Sequence, residues 1–295
     1  MSATATQAAN VTLRSPEPAD VDALAQICFD AFASIDDQHR FPRDFPVLEA
    51  AQGIMGVWIP HPQIWGVLAE IDGRPVGSNF LDERDPVPGV GPVSVTPDLH
   101  ESGIGRRMME AVNERGEGAQ SIRLVQTSYN LRSLSLYASV GYDVVEPLMI
   151  VSGKPRSAPV DGVEVRPLEE RDLEECEALC KKVHGFTRTG ALRDALHGPF
   201  EPFVAVRGGK VTAYATTLAF WPLAYGVAAS DEDMHALLCG AAPQIEEPLT
   251  FIVPTRWELF RWCRAEGIRF VKPLNLMVRG EYSDPTSAWF PSVLY

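Results

Sequence analysis

Apolar positions recur at helical spacing in two stretches that resemble each other. Leu24, Ile27, Cys28, Ala31 and Phe32 follow "VTLRSPEPAD", and Cys176, Leu179, Cys180 and Val183 follow "VEVRPLEERD". Each stretch predicts a short strand, a turn, an Asp cap and an amphipathic helix, with Asp20 and Asp172 as the caps. At a constant offset of 152 residues, Val11, Arg14, Glu17, Asp20 and Cys28 meet Val163, Arg166, Glu169, Asp172 and Cys180.

Strand-like patterns take over downstream. "VLAEIDGRPVGSNF" from Val67 and "FVAVRGGKVTAYAT" from Phe203 predict two hairpins, turning at Asp72-Gly73 and Gly208-Gly209. Both dipeptides accept the left-handed backbone that tight hairpins require. A third echo pairs "GYDVVEPLMIV" from Gly141 with "GIRFVKPLNLM" from Gly267. Three echoes in one order predict a duplicated domain. The Pro-, Gly- and Ser-rich "SGKPRSAPVDG" (Ser152 to Gly162) reads as the linker, with domains expected at 1–155 and 161–295. The order in each half predicts an α/β fold, a mixed and mostly antiparallel sheet flanked by helices. The closing "AWFPSVLY" is apolar to its last residue and predicts a tied-down strand crossing between the halves.

At 295 residues and 45% hydrophobic, the chain has enough apolar material for two cores. Its apolar runs fall far short of the ~18 residues that span a bilayer. "MSATATQAAN" has neither the basic region nor the apolar core of a signal peptide and reads as a short loose tail. Five cysteines, an odd count in which no pair has the two-residue spacing of a zinc knuckle, predict buried reduced thiols, a cytoplasmic location and no metal. Net charge is −13, of which residues 1–155 carry −9 and the remainder −4. Such a surface disfavours nucleic acid and anionic membranes as partners and attracts cations.

The chemistry concentrates at "HESGIGRR" (His100 to Arg107), between the short apolar run "PVSV" and a helix whose buried face is Ile104, Met108 and Val112. A helix start presents unpaired backbone N–H groups and partial positive charge, which suits an anion. Gly103 and Gly105 remove the Cβ atoms that would block a phosphate, and Arg106 and Arg107 add charge. A Walker lysine is absent, and Met108 stands where a dinucleotide fingerprint has its third glycine.

"SVTPDLHESGIGRRMM" followed by "YNLRSLSLYASVGYDV" resembles the GCN5-related N-acetyltransferase (GNAT) family. The family's acetyl-CoA loop, Q/R-x-x-G-x-G/A, corresponds to His100 through Gly105, with His100 in place of Gln or Arg. Its later signature corresponds to Asn130 and Tyr137, followed by Gly141 and Tyr142. The duplicated order looks like a tandem GNAT with a degenerate second domain: "SDED" (Ser230 to Asp233) replaces the glycine turn, and Cys263 falls opposite Tyr137.

The resemblance implies acetyl-CoA as co-substrate. Backbone groups of Val93 and Val95 on the fourth strand would pair with pantetheine, and N–H groups of Ser102, Gly103, Ile104, Gly105 and Arg106 would hold the diphosphate beside His100. Asn130 would touch pantetheine, and Tyr137 would protonate the departing thiolate. The implied reaction moves an acetyl group to a primary amine of a small molecule by direct attack. A peptide or protein amine, and a non-catalytic acyl-CoA sensor, are the alternatives. In "SNFLDERDPVPG", Glu83 is the expected base, beside Asp82 and Asp85. "SIDDQHRFPRDFP" would form the acceptor lid, with Asp36, Asp37 and Asp44 attracting a cationic amine and Phe41 and Phe45 closing the site. Neither the acceptor's identity nor the oligomeric state follows from these residues.

Overall fold

The computed structural model describes residues 11–100 and 102–295, so the expected tail at 1–10 lies outside the described residues. The first half runs β1 (Val11–Arg14), α1 (Val21–His39), α2 (Leu48–Trp58), β2 (Ile64–Ile71), β3 (Arg74–Asp82), β4 (Gly89–Val90), β5 (Ser94–Val95), α3 (Ile104–Arg115), β6 (Ser121–Thr127), α4 (Leu131–Ser139) and β7 (Asp143–Gly153). The second runs β8 (Val163–Pro167), α5 (Leu173–His184), α6 (Thr189–Ala195), β9 (Phe203–Arg207), β10 (Lys210–Ala215), β11 (Gly226–Ala228), α7 (Asp231–Ala241), β12 (Leu249–Pro254), α8 (Glu258–Ala265), β13 (Arg269–Gly280) and β14 (Trp289–Phe290).

The first echo is a structural repeat. Arg14 donates to both carboxylate oxygens of Asp20 at 2.7 and 2.8 Å, and Arg166 does the same to Asp172 at the same two distances. The aspartates close capping boxes with Glu17 and Glu169 over a single 3-10 turn, rather than capping α1 and α5 themselves. Their carboxylates turn back to the arginine and to the glutamate N–H, which leaves nothing for the longer helix. Both predicted hairpins form, with positive φ at Asp72 and Gly73 (51° and 73°) and at Gly208 and Gly209 (58° and 76°).

The third echo shows how the halves join. A nine-stranded sheet has the path β1-β2-β3-β4-β6-β13-β7-β12, with β5 beside β3, so it takes strands from both halves. A five-stranded sheet, β14-β11-β10-β9-β8, belongs to the second. The echoed strands β7 and β13 pair with each other, antiparallel. Leu148 meets Leu274, with Pro147 opposite Asn275 on one side and Met149 opposite Pro273 on the other. Because Leu274 lies 126 residues beyond Leu148, as Gly267 lies beyond Gly141, an approximate two-fold axis passes through that pair. The strand that β6 accepts is the second half's β13, and the strand that β12 accepts is the first half's β7. The halves have exchanged their late strands, as swapped protomers do.

The nine-stranded sheet is mixed through its one parallel pairing, β4 with β6, and the five-stranded sheet is antiparallel throughout. Helices flank both, in line with the mixed, mostly antiparallel fold that the sequence predicts. α3 buries Ile104, Met108, Met109 and Val112 against the first half's sheet, each contributing about 1.5–3 kcal/mol by burial. The expected fourth strand is broken. β4 and β5 are separated by a cis Gly91-Pro92 bond, so Val93 lies outside both, while Val95 is on β5. Proline has no N–H to continue a ladder, which accounts for the interruption. The final segment pairs β14 with β11, and Leu294 then packs with Leu24, Phe45 and Trp58 of the first half. All five cysteines are buried thiols. Among the described residues, no helix is long and apolar enough to cross a membrane.

Candidate active site

β4 and β6 pair, parallel, only at Gly89 and Arg123. Beyond that point a cavity of about 480 Å³ opens between them, with Val90 to Val93 on one wall and Leu124 to Thr127 on the other. One end reaches the start of α3 and the face of α4, and the other reaches α1, α2 and residues Trp221, Leu223 and Val293 of the second half. Two separate hydrophobic clusters back these ends: Ile104, Tyr137, Val95 and Leu136 in one, and Phe45, Trp58, Ile54 and Val293 in the other.

The α3 end has the form of an anion cradle. Gly103 occupies the N-cap at φ 86°, a backbone that side chains rarely tolerate, and offers no side-chain cap to the helix N–H groups. A Cβ on Gly105 would come within 3.3 Å of Leu136. The hydroxyl of Ser102 is buried without a hydrogen-bond partner among the described residues, a cost normally met by a ligand or water. Arg106 donates to Ser139 Oγ at 2.8 Å, which holds its guanidinium along α4. His100 points Nε2 at the Val95 carbonyl, 3.2 Å away. These features fit a diphosphate: bare backbone donors, an orphaned hydroxyl and one anchored cation.

Asn130 is the N-cap of α4, its Oδ1 accepting from the Ser133 N–H at 3.2 Å, and it lines the cavity. Tyr137 also lines the cavity and is 8% exposed. Burial holds its phenol well above the usual tyrosine range, so it stays protonated and able to donate. Tyr142 is fixed elsewhere, donating to Asn113 Oδ1 at 2.9 Å.

The opposite end is acidic. Asp36 Oδ1 accepts from Tyr129 Oη at 2.6 Å and from Lys272 Nζ at 2.7 Å, while Oδ2 accepts the Asp44 N–H at 2.9 Å. Lys272 also donates to Asp44 Oδ1. All three charged side chains are buried, and both aspartates line the cavity. Burial pushes the Asp44 carboxyl up to about 6; the Lys272 ammonium opposes the rise, and the negative charge of Asp36 adds to it.

The other expected acidic residues lie apart from this cavity. Glu83 receives the Arg115 guanidinium at 2.7 Å beside a smaller recess of about 190 Å³, where Trp65 and Phe80 form the walls. Asp82 pairs with Arg84, and Asp85 accepts the N–H groups of Gly190 and Ala191 at 2.8 and 3.0 Å, tying the two halves together. Asp37 pairs with Arg43 at the surface. Phe41 stacks on Tyr129 with ring centroids 4.4 Å apart, supporting the residue that holds Asp36. Lys272 had no local signal, because it arrives on a strand from the other half.

The second half fills the equivalent position. By the 126-residue offset, Arg256 stands for Asn130 and Cys263 for Tyr137. Glu146 stands for Lys272 by the same offset, and Arg256 donates to it at 2.7 Å and to Asp284 at 3.0 Å. α7 starts with Asp231, Glu232 and Asp233 behind Ser230, whose hydroxyl accepts the Asp233 N–H at 3.1 Å. The helix start is thus capped by its own side chain and negatively charged, conditions that repel a diphosphate.

Residues 27–142 match the model of the acetyltransferase (GNAT) family. No curated protein matches the chain by sequence. A putative acetyltransferase from Pyrococcus horikoshii is 17% identical, superposing with a TM-score of 0.72 over 96% of this chain and 94% of that one. A GCN5-related N-acetyltransferase from Sphaerobacter thermophilus is 15% identical, at 0.62 over 95% and 99%. A tandem GNAT protein from the clavulanic acid biosynthesis pathway is 13% identical, at 0.58 over 93% and 100%. Residues 27–142 therefore resemble the acetyltransferase (GNAT) family, and the whole chain shares the fold of a tandem GNAT protein.

Proposed function

We propose that the chain is an acetyl-CoA-dependent N-acetyltransferase acting by direct transfer to a primary amine of a small molecule. One observation carries the reading: a single cavity joins an anion cradle at the start of α3 to a buried carboxylate at the opposite end. The N–H groups of residues 103–106, the Ser102 hydroxyl and Arg106 would hold the diphosphate, the Ser102 N–H being taken by the Leu99 carbonyl. Val93 and Val95 would flank the pantetheine arm, with Asn130 across from them.

Acetyl-CoA bound there supplies a thioester carbonyl that an amine attacks, forming a C–N bond and releasing thiolate as the C–S bond breaks. An alkylammonium must first lose a proton, and Asp44 is the group we assign to take it. A carboxyl poised near neutrality is a better base than one in the usual acidic range. Tyr137 gives its proton to the thiolate and recovers one from solvent. The Val93 N–H, at the break between β4 and β5, would stabilise the developing oxyanion, since Pro92 has no N–H and Gly91 donates to the Phe80 carbonyl. Glu83 stands outside this cavity, so we transfer the base role to Asp44. A cytoplasmic location belongs to the same reading, since buried reduced thiols suit a reducing compartment.

Thiol release from acetyl-CoA, measured with and without added primary amines, tests the proposal. Amine-dependent release supports it. Acetyl-CoA binding without release under any amine supports the sensor alternative.

A further inference from the structure

On the basis of that reading, we infer that the acceptor carries one cationic centre on an apolar body, with no carboxylate, and that Lys272 sets this selectivity. The walls of the acceptor end are Phe32, Phe45, Ile54, Trp58, Trp221 and Val293. Such walls bury an aryl or alkyl group favourably and offer little to a polyhydroxylated or polycationic acceptor.

The charges at this end are few. Asp36 and Asp44 contribute two negative charges when ionised, and Lys272 contributes one positive charge bonded to both. Asp36 is further occupied by the Tyr129 hydroxyl and the Asp44 N–H. One unit of negative charge is left, at Asp44, to meet one ammonium. Lys272 lies behind the two aspartates and outside the cavity lining, and the basic side chains that line the cavity among the described residues are His100, Arg106 and Arg132, all at the starts of α3 and α4. Lys272 is already committed to two aspartates. An acceptor carboxylate would thus be buried beside Asp44 with no cation to receive it, and a second ammonium would be desolvated without a counter-charge.

Lys272 comes from β13, the strand that the second half inserts between β6 and β7. The first half's pocket is therefore completed by the second half. The equivalent position on the inserted partner strand holds Glu146, of opposite charge, locked to Arg256. The exchange that joins the halves also sets the charge of the acceptor end.

The test compares kcat/KM for 2-phenylethylamine, hexylamine, L-phenylalanine and spermidine, by thiol release from acetyl-CoA, for the full chain and two variants. The two monoamines should exceed L-phenylalanine and spermidine by at least about 100-fold, since a buried unpaired group rejects a substrate strongly. Lys272→Met should narrow the monoamine-to-spermidine ratio at least tenfold by exposing a second negative charge. Asp36→Asn combined with Lys272→Met returns the count to one and should restore the ratio, which also covers a single variant that fails to fold. Preference for spermidine or L-phenylalanine by the unaltered chain overturns this inference and leaves the acetyltransferase reading standing. So does a double variant that folds, as judged by circular dichroism, without restoring the ratio. No release with any amine, although acetyl-CoA binds, overturns the acetyltransferase reading and this inference with it.

Discussion

Lys272 donates to Asp36 at 2.7 Å across 236 residues of sequence. The contact joins a strand of the second half to the first helix of the first half, and it buries an ammonium between two carboxylates. Asp44 is left as the carboxylate whose protonation responds to pH near neutrality.

Asp44 should set the acidic limb of the rate. Its carboxyl is raised to about 6, so the base form disappears as pH falls through that value and kcat/KM should fall with it. The groups that face it are Asp36, Lys272, the Tyr129 hydroxyl and the buried Cys28 thiol. Asp44→Asn should lower kcat/KM by about 10²–10⁴-fold and abolish the limb near pH 6. The linkage has the opposite sign for stability. The folded state keeps this proton to higher pH than the unfolded chain, so the group's contribution to stability is lost as pH rises from about 4 to about 6. A pH–rate profile and denaturant unfolding over the same range check both halves of the prediction.

Tyr137→Phe removes a buried hydroxyl while keeping the ring against Tyr142, with centroids 6.5 Å apart. Turnover should fall by about 10²-fold, and acetyl-CoA affinity measured by calorimetry should stay within roughly twofold. A loss of affinity with unchanged turnover would assign Tyr137 to binding instead.

Gly103→Val puts a β-branched residue at φ 86° and should cost about 1–3 kcal/mol of local strain while narrowing the cradle. Acetyl-CoA should bind at least about tenfold more weakly, the equivalent of about 1.4 kcal/mol. Gly118→Ala, at φ 96° with open space around it and outside the cavity, is the control: some stability is lost and binding is kept.

The repeated Arg–Asp pair should be the more valuable in the second half, where Arg166 and Asp172 are 20% and 7% exposed against 37% and 12% for Arg14 and Asp20. Asp172→Asn should cost about 1–2 kcal/mol, and Asp20→Asn less. The arginine hydrogen bonds hold both carboxyls below the usual range. The stability they supply is therefore present above the unfolded carboxyl value, near 3.8, and is lost as pH falls below it through the folded value. Urea unfolding at neutral pH and near pH 3 reads the difference.

Local signals made much of this legible in the sequence. The Asp20 and Asp172 turns, the two hairpins and the glycine turn at 103–105 depend on neighbouring residues, and they appear where the pattern puts them. The partner of a strand is not a local property. The alternation in β13 fixes which side chains share a face, but not that β6 and β7 receive it. Lys272 therefore reads as an ordinary strand lysine until the sheet is built. Glu83 shows the converse: a loop carboxylate carries no mark of the Arg115 side chain that occupies it.

A crystal structure of the chain with coenzyme A bound tests the central claim most directly. Density is expected for the diphosphate on the N–H groups of residues 103–106 and for the pantetheine arm running between Val93–Val95 and Asn130 toward Tyr137. Coenzyme A bound elsewhere, or a diphosphate at the start of α7 in the second half, would contradict it.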